Sequence, residues 1–90
     1  MNKERRKQIE TINEQLRELS GKFDDIKSEY ETIKDEEQEY YDNMPESLQS
    51  GEKGDTAQEA VNQLEEVITH IEEAISQIDE AIGCAENAAA

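Results

Sequence analysis

The 90-residue sequence contains no tryptophan, one cysteine, one histidine and one proline. Because Cys84 is alone, no internal disulfide can form, and a reducing cytoplasm fits the chain. No Cys–His or Ser–His–Asp set surrounds Cys84 or His70, and no glycine-rich phosphate loop follows a strand. We therefore expect a non-enzymatic protein with no cofactor.

Long apolar runs are also absent. No stretch approaches the ~20 apolar residues that a membrane-spanning helix needs. The basic N-terminal segment has no apolar run behind it and so does not resemble a signal peptide. We expect a cytoplasmic protein that neither crosses nor binds a membrane.

Basic side chains are scarce, with 9 Lys and Arg against 24 Asp and Glu, which gives a net charge of -15. No Lys or Arg occurs from Gly54 to Ala90. So acidic a chain repels nucleic-acid backbones, and direct DNA or RNA binding is not expected. The N-terminal basic cluster either adds solubility or docks on the acidic second half of another copy, and both interpretations stay open. This cluster comprises Lys3, Arg5, Arg6 and Lys7.

What the sequence does contain is a heptad repeat, written abcdefg, in each half. It predicts a helix at about residues 3–43, continuous through Gly21, and a second helix at about 55–84. Pro45 ends the first helix, so the loop is expected at about 44–54 and a frayed tail at 85–90. Ser50 and Asp55 are alternative caps of the second helix. In the first half the a column is Ile9, Leu16, Phe23 and Tyr30, and the d column is Ile12, Leu19, Ile26 and Ile33.

Folding the chain back at the loop gives a testable register. The a and d layers then pair Tyr30 with Ile71, Ile26 with Ile75, Phe23 with Ile78 and Leu19 with Ile82. The flanking e positions place Lys34 near Glu65 and Lys27 near Glu72. We predict a single all-α domain over residues 1–90, built as a long antiparallel helical hairpin of coiled-coil type.

Two helices make a poor core, and this register leaves Ile9 without a partner. The second helix carries an additional apolar g column of Ala60, Val67, Ala74 and Ala81, which suits a helix with more than one neighbour. We expect self-association into a homo-oligomeric bundle of four helices or a larger ring. The predicted oligomer seam comprises Ile9, Ile12, Val67, Ile68, Ile71, Ile75 and Ile78.

The loop end contains tyrosines and a lysine and is a candidate ligand site. Tyrosine rings can stack on planar bases, and backbone amides with a lysine can receive a phosphate at a helix start. The alternative is a plain turn, in which the aromatic rings cap the end of the hairpin. The candidate site residues are Glu37, Tyr40, Tyr41, Ser50 and Lys53.

An acidic column in the second helix offers a different function. Glu66, Glu73 and Glu80 repeat every heptad, about 10.5 Å apart along a helix. This surface could mimic DNA and occupy a host nucleic-acid-binding protein, or it is simply a solvated face. Glu66 and Glu73 flank His70 on one face, but ordinary surface is the favoured interpretation and no metal is expected. A purely structural scaffold is the third class of function.

The segment Tyr41-Asp-Asn-Met-Pro-Glu-Ser-Leu-Gln49, with the acidic helices on either side, resembles a family of small acidic helical-hairpin proteins of phages and prophages. The resemblance covers about two thirds of the chain and brings no activity or site residues with it. It implies a phage accessory protein in the host cytoplasm. Small non-enzymatic phage proteins commonly act against host defence, so the expected partner is a nucleotide-type immune signal or a host defence protein.

Overall fold

The computed structural model describes all 90 residues, and every regular element in it is helical. Helix α1 spans Lys3–Asp42, the single turn α2 spans Glu46–Gln49, and α3 spans Glu52–Ala89. The molecule is a rod with extents of 68 × 15 × 12 Å. The predicted all-α class is confirmed.

A capping side chain and a nearby proline explain where helix α1 begins and ends. Asn2 caps it, with the side-chain Oδ1 accepting a hydrogen bond from the Arg5 backbone N–H at 2.8 Å. The helix passes through Gly21 without a break, as the uninterrupted repeat predicts. It stops at Asp42 because Pro45 follows shortly and disfavours helical backbone at the residue before it.

The predicted loop at 44–54 and the predicted start of the second helix need correction. Helix α2 lies inside that loop, and α3 already begins at Glu52. Neither proposed cap is used: the N-cap residue is Gly51, which has no side chain to offer, and Asp55 lies within the first turn. Ser50 instead donates its hydroxyl to the Glu46 carbonyl. Carboxylates of Glu52 and Asp55 in the first turn favour this start through the helix dipole.

Helix α3 continues to Ala89, beyond the predicted end of the second helix at about residue 84 and through most of the segment 85–90 that was expected to fray. Arg17 binds Glu86 at 2.8 Å, and Ala89 is half-buried. Alanine has the highest helix propensity, which supports the last turn. Ile9 is half-buried beside this end, so the exposed N-terminal overhang is confined to residues 1–8.

Helices α1 and α3 lie side by side. Three ion pairs join them: Arg17–Glu86 at 2.8 Å, Lys27–Glu72 at 3.8 Å and Lys34–Glu65 at 3.9 Å. Partner numbers fall along α3 as they rise along α1, so the helices run in opposite directions. The two lysine pairs are those that the heptad register predicts. Exposed pairs contribute under ~1 kcal/mol each, so they report the register more than the stability.

The face that α1 turns toward α3 differs from the prediction. Its a and e columns are half-buried or buried, whereas the d column is exposed by 41% to 55%. The prediction that Leu19 and Ile26 complete core layers is therefore wrong. Lys27 and Lys34 lie at e and reach carboxylates of α3, which favours this rotation of α1. We call the exposed d column the α1 stripe: Ile12, Leu19, Ile26, Ile33 and Tyr40.

The core between the helices is thin. Its buried apolar residues are Ala57, Val61, Ile68 and Ile82, and no large side chain is fully buried. Asn13, an e-column residue, is the one buried polar side chain, at 3% exposure. Two helices side by side therefore leave much of their apolar columns accessible to water.

The turn is packed closely at one glycine. A Cβ on Gly54 would overlap the backbone carbonyl of Gln49, the last residue of α2. Gln49 also holds the end of α1, because its side-chain amide donates to the Tyr41 carbonyl at 3.0 Å. Close backbone approach therefore requires glycine at position 54.

Gly54→Ala is expected to lower the free energy of unfolding by roughly 2–4 kcal/mol, because α2 must move away from α3. The matched control is Gly21→Ala, where nothing lies within 4 Å of the added methyl. That change should raise stability by up to ~1 kcal/mol through helix propensity. Urea unfolding of both variants at one protein concentration measures the difference. Equal effects of the two substitutions would contradict the packing of the turn.

Candidate functional site

The structure brings three of the five loop-end candidates together. Glu37, Tyr40 and Lys53 line one open cleft of about 400 Å³ between the end of α1 and the first turns of α3. Glu52, Thr56 and Ala57 complete its wall. Tyr40 is 55% exposed, so its ring is available to a ligand or to another chain.

The other two candidates lie elsewhere. Tyr41 and Ser50 line a separate cleft with Glu46, Ser47 and Gln49. Consecutive helical residues differ by about 100° in direction, so adjacent tyrosines at the end of α1 face different sides of the rod. The predicted five-residue site is thus divided into a group of three and a group of two.

The charge at the loop end is strongly negative. Residues 35–59 carry nine Asp and Glu and one lysine, a net of -8. Lys53 makes no ion pair within the chain, and Glu37 and Glu52 line the same cleft. The first turn of α3 presents backbone N–H groups without a side-chain cap. Repulsion from the surrounding carboxylates nevertheless weakens the binding of any anion to this cleft in the single chain.

The α1 stripe forms one side of a wider apolar face. The ion pairs of Lys27 and Lys34 lie at the e positions, and the d column lies on the opposite flank of α1. In α3, Val67 lies at g and Ile71 and Ile78 lie at d, on the side of the helix away from the e-position Glu65 and Glu72, and all three are half-buried. Tyr40 belongs both to the stripe and to the loop-end cleft, so the apolar face and the cleft are continuous.

The predicted seam residues differ in how far the single chain already buries them. Ile68 is 8% exposed and is already buried by the chain itself. Ile9, Val67, Ile71, Ile75 and Ile78 are half-buried, and Ile12 is 55% exposed. The other four exposed apolar residues of the α1 stripe, Leu19, Ile26, Ile33 and Tyr40, were absent from the predicted seam. Their signal in the sequence is the lysine-bearing e column, which competes with d for the inner face.

The acidic column of α3 faces solvent. Glu66, Glu73 and Glu80 are exposed, and Glu73 lies 3.5 Å from His70 Nδ1. Glu65 and Glu72, by contrast, bind lysines of α1. No group of three or more His, Cys, Asp or Glu side chains is arranged to hold a metal ion.

Comparisons with protein-family models, curated proteins and solved structures give no match. No helix in the chain combines the length and apolar character required to cross a membrane.

Proposed function

We propose that the chain is a non-enzymatic binding protein that works as a homo-oligomer of antiparallel helical hairpins, in which copies pair through the α1 stripe. One observation carries the proposal: five large apolar side chains, spaced one heptad apart, remain 41% to 55% exposed along one flank of the rod. An exposed apolar surface that is contiguous rather than scattered marks an interaction site. A core without a fully buried large side chain also leaves much of the stabilisation to association.

Self-association makes the melting temperature depend on protein concentration. If folding is coupled to pairing, each tenfold rise in concentration favours the assembly by about 1.4 kcal/mol. We expect the midpoint of helix loss, followed by far-ultraviolet circular dichroism, to rise by several degrees per tenfold. A midpoint that stays constant from micromolar to millimolar chain would count against coupled assembly.

The proposed ligand is a small anionic, ring-bearing molecule of nucleotide type, bound at the loop end in a phage counter-defence role in the host cytoplasm. Support comes from the shared cleft of Tyr40 and Lys53, which offers a ring face and an unpaired cation side by side. The carboxylates of the same cleft oppose such a ligand. Binding therefore requires further positive charge from outside the single chain.

Calorimetry with cyclic nucleotides as probes tests this ligand. Lys53→Ala is expected to weaken binding about tenfold or more, because the cleft loses the only cation that its own chain supplies. Ser50→Ala, in the separate cleft, is the control and should bind like the wild type. Absence of binding to every probe, or equal binding by both variants, would make the loop end a plain turn.

A second candidate is an acidic DNA mimic, favoured by the solvent exposure of Glu66, Glu73 and Glu80. Changing these three to glutamine should then abolish capture of a host nucleic-acid-binding protein and leave the assembly intact. The matched control neutralises the exposed α1 column of Glu18, Asp25 and Glu39. A structural scaffold would lose no specific partner in either triple variant.

A further inference from the structure

We infer that a second copy of this chain docks on the α1 stripe in antiparallel orientation, with the two-fold axis at Ile26, and places its N-terminal basic cluster at the loop end of the first. The inference rests on the proposed self-association and goes beyond it by fixing the orientation and the contacts. Three features of the described residues carry it: the symmetry of the stripe, the charges beside it and the charges at the two ends of the rod.

The stripe is symmetric about its centre. With the axis at Ile26, Ile12 of one copy lies opposite Tyr40 of the other, and Leu19 lies opposite Ile33. Every layer is then apolar on both sides. In an isologous pair each contact occurs twice, so one stripe supplies both halves of the interface.

Charges flanking the stripe favour the antiparallel orientation. Lys22 and Glu29 occupy g positions beside the stripe and make no ion pair within the chain. In the antiparallel pair with its axis at Ile26, Lys22 of one copy lies beside Glu29 of the other, and the pair occurs twice. In a parallel pair the g columns of the two copies lie on opposite flanks of the seam, so Lys22 does not meet Glu29. The attractive Lys22–Glu29 pair therefore forms only in the antiparallel orientation.

The charges at the two ends of the rod also favour the antiparallel orientation. Residues 35–59, at the loop end, carry a net charge of -8. The basic cluster lies at the opposite end and, like Lys53, forms no ion pair in the single chain. Antiparallel docking places the basic cluster just beyond the Asp42 end of α1 of the second copy, at its acidic loop end, whereas parallel docking would bring two acidic loop ends together. The partner copy thereby brings further cations to the loop end, in addition to Lys53.

The exposed surface is large enough for such a contact. The chain exposes 6624 Å², whereas a compact protein of 10.3 kDa exposes about 5,400 Å². The excess, about 1,200 Å², exceeds the ~800 Å² that each partner buries in an interface of standard size. A second hairpin laid along the stripe would cover part of this excess.

Single-cysteine cross-linking distinguishes the orientations. In a Cys84→Ser background, Ile12→Cys, Ile26→Cys and Tyr40→Cys are each treated with a short bis-maleimide, alone and as mixtures after subunit exchange. We expect Ile26→Cys to cross-link with itself. Ile12→Cys and Tyr40→Cys should cross-link only when mixed with each other.

Other patterns overturn the inference in distinguishable ways. Efficient self-cross-linking of Ile12→Cys and of Tyr40→Cys would show a parallel pair, and a dimer that none of the cysteines cross-links would place the interface elsewhere. Both results overturn the orientation and leave self-association standing. A chain that sediments as a monomer and forms no cross-link removes the proposed function as well.

Exchanging the charges of Lys22 and Glu29 tests their predicted pairing independently of the cross-linking. Lys22→Glu is expected to raise the dissociation constant about tenfold, because two attractive pairs per dimer become repulsive. Adding Glu29→Lys to that variant should restore the wild-type value. Thr32→Glu, at an exposed α1 position outside the stripe, is the control for added negative charge and should have little effect. A double variant as weak as Lys22→Glu alone would overturn the predicted pairing.

Discussion

Replacing both Ile26 and Ile33 by glutamate is expected to separate the assembly into single chains of about 10.3 kDa that keep their helices. At a paired stripe, each new carboxylate would lose water without gaining a partner, at a cost of several kcal/mol per dimer. In the single chain the same side chains stand 41% and 49% exposed, so water still solvates a charge there. The substitutions therefore oppose association far more than folding.

This experiment is best made in a Gly21→Ala background. The methyl meets nothing within 4 Å and adds helix stability, which keeps the separated chain folded. Thr32→Glu is the matched control, because it adds a charge at an exposed α1 position outside the stripe. Size-exclusion chromatography with light scattering gives the mass, and circular dichroism gives the helix content. An undiminished mass in the double variant would mean that the stripe is not the interface.

Replacing Ile68 by aspartate is expected to unfold the chain. Ile68 is 8% exposed and lies in the thin core between α1 and α3. An aspartate there loses apolar burial and leaves an unpaired charge in the core, which together cost roughly 3–5 kcal/mol. A small domain whose total stability is about 5–15 kcal/mol, and whose core is thin, has little reserve against such a loss.

The conservative variant Ile68→Val separates the effect of charge from that of size. It removes one methylene and should cost roughly 1 kcal/mol, with full helix content retained. Urea unfolding by circular dichroism compares the two variants with the wild type. Ile68→Asp with native helix content and stability would show that position 68 is not in the core.

Helix type, the two lysine ion pairs and the end of the first helix could be predicted from the sequence, because heptad spacing and Pro45 determine them. Apolar steps of three and four residues specify helices, Pro45 specifies the end of the first, and the e-column lysines specify the register. The start of α3 could not be predicted from capping preferences, because Gly51 provides no capping side chain. The packing of Gly54 against Gln49 depends on where α2 lies, which a repeat pattern does not contain.

The α1 stripe shows a more general limit of heptad patterns. Its a and d columns are equally apolar, so the repeat alone does not distinguish a column that contacts the same chain from one that remains exposed. Here the rotation of α1 places Asn13, Lys27 and Lys34 toward α3 and leaves the d column outside. Similarly, gathering Tyr40 and Tyr41 into one site overlooked the rotation between adjacent helical residues.

Sedimentation equilibrium of the wild-type chain tests the central claim most directly, because it measures mass without a label or a substitution. Pairing through the α1 stripe predicts a weight-average mass of at least twice 10.3 kDa at micromolar concentration, falling toward 10.3 kDa on dilution. A mass that remains 10.3 kDa up to the highest concentrations would contradict the account, because the stripe would then be exposed apolar surface without a second copy to cover it.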